Sequence, residues 1–250
     1  MIDLHSHVLP AIDDGARTID DSRQLARRAA SEGITAMAAT PHVRADYPTT
    51  PDRMEAGVET LRVDFAEQQI PVEILHGAEI DLDAMRQLGP DDLRRFTIAQ
   101  SGRYLLVEFP YMGWPLDLEQ KLFDLALNGI VPILAHPERN REVQADPRRL
   151  APFVGRGGLV QVTAASLEGR IGRGSRKAAE DLIEAGHAHL LASDAHTPEV
   201  REVGLAGAVE AVANDELAHF LTEEAPAAIV AGEAVPHPPT TRRRRRFFGR

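Results

Sequence analysis

Residues Ile130–Asn140 read IVPILAHPERN. Ile130–Leu134 is apolar at every position, the pattern of a strand buried on both faces in a parallel sheet. From His136 onward the same stretch delivers His, Glu, Arg and Asn within five residues. Chemistry therefore begins where the strand stops. Before the strand lies Leu118–Asn128, a stretch of helical spacing closed by Gly129 at the position of a helix C-cap. The unit is helix, glycine, buried strand, polar ending.

That unit recurs along the chain. Further apolar runs fall at Ile2–Leu4, Ile34–Ala39, Val72–Leu75, Tyr104–Val107, Leu159–Val162 and His189–Ala192. Amphipathic stretches separate them at Ile19–Glu32, Pro51–Gln69 and Ser175–Ala185. Thr18 is placed to N-cap the first, and Gly33 and Gly186 stop the first and last. Alternating strands and helices define an α/β fold. Seven strands within about 200 residues predict a closed or nearly closed barrel of the TIM type. A doubly wound open sheet is the competitor, but no glycine-rich phosphate fingerprint follows the first strand. Glu199–Gly232 reads as terminal helices. Residues 1–234 are then one domain, and the Pro-rich, then Arg-rich 235–250 reads as a disordered tail.

Composition narrows the function. With 43% hydrophobic and 26% charged residues in 250, the chain is neither wholly disordered nor collagen-like. It has no cysteine, which excludes disulfides, thiolate metal sites and cysteine nucleophiles, and fits a reducing compartment. No run approaches the roughly 20 apolar residues of a membrane span. MIDLHSH lacks a signal-peptide pattern, so a soluble cytoplasmic protein is expected. The net charge is −10 although TRRRRRFFGR, the last ten residues, holds six arginines. An acidic body argues against nucleic acid as a partner and suits carboxylates gathered around cations. The arginines with Phe247 and Phe248 predict peripheral contact with an anionic membrane, against the alternative of a plain solubilising terminus.

Six strand ends carry His, Asp or Glu. The first leads into His5, His7 and Asp14, the second into His42, the third into Glu79 and the fourth into Glu108; the fifth leads into His136, and the last into Asp194 and His196. In a barrel those ends converge on one face. His-x-His and Asp-x-His each put two ligands on the same side of an extended chain. A lone strand-end histidine is commonly a cap or a surface residue, but six ends in concert are not. Nine candidates exceed the four to six ligands of one ion, so two or three ions with a bridging carboxylate are expected, Mn, Fe or Zn by donor type. Asp13 competes with Asp14 for the same role. His76, His187, His189, His219 and His237 fall elsewhere and read as structural or surface residues. Arg139 and Arg201 follow His136 and His196 closely, and a guanidinium fork beside cations suits a phosphate ester. Trp114, the single tryptophan, either packs or walls the cleft.

These residues resemble those of the polymerase and histidinol phosphatase (PHP) superfamily, and more narrowly the CpsB/CapC/YwqE-type manganese-dependent protein-tyrosine phosphatases. MIDLHSHVLPAIDDGA, ATPH, GAEI, LLVEFP, LAHPERN and SDAH appear in the family's order across roughly residues 1–230. The resemblance implies a distorted (β/α)7 barrel with a trinuclear Mn2+ centre at the C-terminal ends of the strands. It implies His5, His7, Glu79 and Asp194 on one ion, Glu79 bridging to a second with Glu108 and His136, and Asp14, His42 and His196 on a third. Arg139 and Arg201 fall where the family binds phosphate. The implied activity is hydrolysis of phosphotyrosine by a metal-activated hydroxide. The implied partner is a phosphotyrosine protein, a bacterial tyrosine kinase of capsule or exopolysaccharide biosynthesis. The rivals are a histidinol-phosphatase-like or other small-molecule phosphomonoesterase and a non-catalytic kinase-docking regulator. A further rival is a binuclear amidohydrolase, whose carboxylated lysine would have to be Lys121 or Lys177, both in predicted helices.

Overall fold

The computed structural model describes residues 1–198 and 204–239; Arg201 and the arginine-rich end of the tail lie outside the described residues. Among the described residues ten strands run in the order β1 (Ile2–Ser6), β2 (Ala36–Ala39), β3 (His42–Arg44), β4 (Tyr47–Pro48), β5 (Glu73–Leu75), β6 (Glu79–Asp81), β7 (Tyr104–Glu108), β8 (Val131–Ala135), β9 (Leu159–Thr163) and β10 (Leu190–Ala192). Each apolar run of the sequence supplies one of them. The short β3, β4 and β6 are additions that no local pattern announced.

The strands form a β1-β2-β5 sheet and a β10-β9-β8-β7-β6-β3-β4 sheet. All pairings are parallel except the β3–β4 hairpin. The two sheets are continuous in the chain, since β2 runs on into β3 and β5 into β6. On the other side β1 meets the segment after β10. There Ser6 bridges Ala195, His7 N–H donates to the Ala195 carbonyl at 2.8 Å, and Asp194 N–H donates to the His5 carbonyl at 2.9 Å. The arrangement is α/β and barrel-like.

Side-chain alternation sorts the apolar residues into two cores. Leu105 and Val107 of β7 join the larger one, with Leu25, Leu61, Phe65 and Leu182 from the surrounding helices. Burying each such side chain is worth about 1.5–3 kcal/mol. Tyr104 and Leu106, one residue out of phase, join Leu4, Ile133 and Leu190 in an inner core. Ile229, from the helix Ala225–Val230, joins them. The Tyr104 hydroxyl donates to the Glu233 carbonyl. The terminal helix therefore seals the N-terminal ends of the strands and leaves the opposite, polar ends for the site. Thr18 caps Ile19–Ser31 as predicted, in a capping box with Asp21.

Buried His189 accepts a hydrogen bond at Nδ1 from Val160 N–H (3.2 Å), and burial lowers its pKa to about 4. The unfolded chain, with a histidine pKa near 6.5, binds this proton more readily. Stability from His189 is therefore present above about pH 6.5 and lost as pH falls towards 4. His189→Asn keeps an acceptor in place without titrating. We expect a shallower fall in the urea midpoint between those pH values than in the wild type.

Candidate metal centre

Local backbone irregularities aim the site residues. Between Asp3 and Ser6, β1 sets three steps against two on β2, since Asp3 pairs with Met37 and Ser6 with Ala39. In a regular strand Leu4 and His5 would face opposite sides. The extra residue lets Leu4 enter the inner core while His5 and His7 both reach the centre. Gly15 makes room for the following loop: a Cβ there would lie 2.1 Å from the His7 carbonyl oxygen. His136 (φ 38°) and Asp194 (φ 52°) both adopt left-handed backbone conformations. That is uncommon for residues other than glycine, though His and Asp adopt it more readily than most, and such conformations cluster at functional positions.

Four donor atoms then meet. His5 Nε2 lies 3.3 Å from each of His7 Nε2, Glu79 Oε2 and Asp194 Oδ1. His7 Nε2 lies 3.4 Å from the same two carboxylate oxygens. Ligands about 2.1 Å from one ion at tetrahedral angles stand about 3.4 Å apart, so the set fits a divalent cation. Glu79 Oε2 is buried and accepts no hydrogen bond among the described residues. Among the described residues three further groups flank this one, the first being His5, Glu79 and His136. His42 and His196 join Asp14 and His7, and His42 and Glu79 join Glu108. His136 Nε2 lies 2.8 Å from Glu79 Oε1. All nine predicted ligands therefore sit in one cluster, with Glu79 central. Glu108 and His136 meet Glu79 from two sides, and no single group among the described residues holds both.

A second layer orients the rings. His7 Nδ1 donates to Asp13 Oδ2 at 2.7 Å, His5 Nδ1 to Gln161 Oε1 at 3.0 Å and His196 Nδ1 to the Asp194 carbonyl at 2.9 Å. A proton held at Nδ1 leaves Nε2 as the donor atom facing the centre. The competition between the paired aspartates is resolved: Asp14 joins the cluster, while Asp13 backs His7 and accepts His42 N–H at 2.9 Å. Burial alone would raise Asp13, but the adjacent His7 holds it well below the usual carboxylate range. Burial likewise opposes ionisation of Glu79 and Asp194, yet His5 with His136 lowers the one, and His5 with Arg139 lowers the other. Glu108 goes the other way. Burial, then the Glu79 charge, pushes it up to about 7 against the pull of Arg44. Neighbouring carboxylates that repel in this way share a proton or a cation.

Arg139 is buried beside the cluster, with Nη2 2.6 Å from Asp194 Oδ2 and 3.0 Å from Thr163 Oγ1. Three contributors have no signal in the local sequence pattern. Gln161 faces the site from within an apolar strand. Arg44 reaches Glu108 Oε1 at 3.3 Å from the β3–β4 hairpin. Tyr111 stacks on His136 at 5.8 Å. Trp114 packs edge-on against Phe109 (5.5 Å), with Arg149 over its ring, and takes no part in the metal cluster. Lys121 pairs with Asp83 and Lys177 with Asp181, which removes the carboxylated-lysine alternative. The five remaining histidines enter none of the ligand groups found among the described residues.

A sulfur-free imidazole–carboxylate cluster at parallel strand ends, beside a buried arginine, is the centre expected of a metal-dependent hydrolase. The family model for capsular polysaccharide synthesis, CpsB/CapC, matches residues 1–229, and the chain belongs to that family. It is 35% identical to the tyrosine-protein phosphatase YwqE of Bacillus subtilis (strain 168), over 100% of this chain and 99% of that protein. It is 26% identical to the tyrosine-protein phosphatase CpsB of Streptococcus agalactiae serotype III (strain NEM316), covering 86% and 90%. A solved structure described as YwqE from Bacillus subtilis and CpsB from Streptococcus pneumoniae, unique metal-dependent tyrosine phosphatases, superposes with a TM-score of 0.86. That match has 34% identity and covers 97% of this chain and 100% of the other.

Proposed function

We propose that this protein is a metal-dependent protein-tyrosine phosphatase built on a distorted (β/α)7 barrel, with residues 1–234 as the phosphatase domain and 235–250 as a tail. The observation that carries the reading is the convergence of His5, His7, Glu79 and Asp194 donor atoms at 3.3–3.4 Å. The family membership supports it. His5, His7, Glu79 and Asp194 would hold one Mn2+, with Glu79 shared towards Glu108 and His136, and Asp14, His42 and His196 would complete a third position. Two or three ions fit this donor set, with Fe or Zn as the alternatives. When bound, such ions lower the pKa of a coordinated water and neutralise phosphoryl charge.

The chain's own residues do the rest. Asp13 and Gln161 fix the tautomers of His7 and His5. Arg139, and Arg201 by its place in the sequence, would bind the phosphoryl oxygens. A phenolate of pKa about 10 needs little help in leaving. The substrate is a phosphotyrosine protein, a bacterial tyrosine kinase of capsule or exopolysaccharide biosynthesis, met in the cytoplasm. No helix among the described residues is long and apolar enough to cross a membrane. The six terminal arginines carry the charge for peripheral contact with anionic lipid.

The test compares a phosphotyrosine peptide, a phosphoserine peptide and histidinol phosphate with Mn2+ supplied. Phosphotyrosine hydrolysis is expected to dominate, to vanish on chelation and to return with the metal. Preference for histidinol phosphate would make the protein a small-molecule phosphatase. Turnover of none of the three would leave a kinase-docking regulator.

A further inference from the structure

Seven large apolar side chains are exposed among the described residues, and five of them, Tyr111, Met112, Leu116, Phe123 and Leu127, fall in one segment of seventeen residues. Scattered exposed apolar residues are ordinary, but a concentration of this kind marks a binding surface. The segment starts at the metal centre, where Tyr111 stacks on His136. It is also fixed there. Asn140 Nδ2 donates to the Pro110 and Gly113 carbonyls at 2.6 and 2.8 Å, and Arg141 N–H donates to the Tyr111 carbonyl at 3.1 Å. The loop bearing Tyr111 is thus tied to the loop bearing His136 and Arg139.

Beyond Trp114 the segment opens into a groove of about 880 Å³ between the helix Leu118–Leu127 and residues 149–158. Phe123, Phe153 and Trp114 give it apolar walls. Its charged lining is Arg103, Arg149 and Arg156 against Glu119 alone, in a chain whose net charge is −10. A small phosphate ester would fill the metal centre without reaching this groove.

We infer that the groove is a docking site for the polypeptide flanking the substrate's phosphotyrosine, one that carries apolar and acidic side chains. This inference rests on the phosphatase reading above. The groove's Trp114 end adjoins the loop that Asn140 ties to the metal centre, and its basic lining favours such a segment over a second copy of this acidic chain.

The test pairs Phe123→Asp and Arg156→Glu, both at exposed side chains outside the metal centre, with two substrates under Mn2+. These are p-nitrophenyl phosphate and a phosphotyrosine peptide with acidic and apolar flanks. KM for the peptide is expected to rise about tenfold in each variant, while kcat and KM for p-nitrophenyl phosphate stay at wild-type values. Unchanged peptide KM in both variants overturns the inference, as does an equal loss on both substrates. A wild-type dimer that the variants dissociate with no change in peptide KM would assign the groove to self-association instead. Absence of wild-type turnover on either substrate would remove the phosphatase reading, and this inference with it.

Discussion

His5→Ala is expected to reduce phosphotyrosine hydrolysis by about 10³-fold or more and to lower bound metal while the fold persists. His5 Nε2 is the point from which His7, Glu79 and Asp194 are each 3.3 Å away, so its removal opens that four-atom donor set. Folding has less to lose. The inner core that closes the barrel-like sheet below is carried by Leu4, Tyr104, Leu106 and Ile133. Asp194 needs a gentler substitution. Its Oδ2 is 2.6 Å from Arg139, and truncation would leave a buried guanidinium without its carboxylate, a loss of about 3–5 kcal/mol. Asp194→Asn keeps the shape and an oxygen for Arg139 but removes the charge, so activity and metal content should fall with a smaller change in thermal midpoint than Asp194→Ala causes. Metal analysis and circular dichroism on the purified variants check both points. Near-wild-type turnover in His5→Ala would remove His5 from the ligand set.

Much of this architecture was legible because its signals are local. A buried parallel strand needs a continuous apolar run, and a chain that leaves such a strand for solvent shows its first polar residue at once. Glu108 and His136 could be placed at strand ends on that ground alone, whereas His42 and Glu79 open the short strands β3 and β6 that follow β2 and β5. What the local pattern could not carry is register between distant segments. The extra residue in β1 exists only relative to β2, although it decides that His5 and Leu4 serve different layers. Gln161 lies inside LVQVT, where nothing in the strand says that its side chain meets His5. Arg44 and Tyr47 come to the rim because a hairpin of two and three residues folds there, too short for any periodicity. The Asp13–Asp14 pair was ambiguous for a related reason. Neighbouring carboxylates look alike in sequence, and only the turn at Gly15 separates the one that backs His7 from the one that joins the cluster.

Arg139→Ala is expected to lower kcat by about 10²-fold at saturating Mn2+ and, separately, to raise the metal concentration needed for half-maximal activity by about tenfold or more. The first effect follows from its chemistry. A guanidinium beside a metal cluster faces charge that grows on the phosphoryl oxygens as the ester bond breaks, so its contact contributes more in the transition state than in the ground state. The second follows from its position. Nη2 is shared between Asp194 Oδ2 and Thr163 Oγ1, and it places a positive charge 2.6 Å from a carboxylate whose other oxygen belongs to the His5–His7–Glu79 set. Without Arg139 that carboxylate loses one of the contacts that orient it. Burial acts against the Arg139 charge, but Asp194 and then Glu138 overcome it and hold the side chain fully cationic. Arg139→Lys separates the two roles: a lysine restores charge near Asp194 but not the planar fork. Metal affinity should recover in Arg139→Lys further than kcat does. If extra Mn2+ returns Arg139→Ala to the wild-type rate, the residue only positions Asp194, and the phosphoryl group is held by other cations.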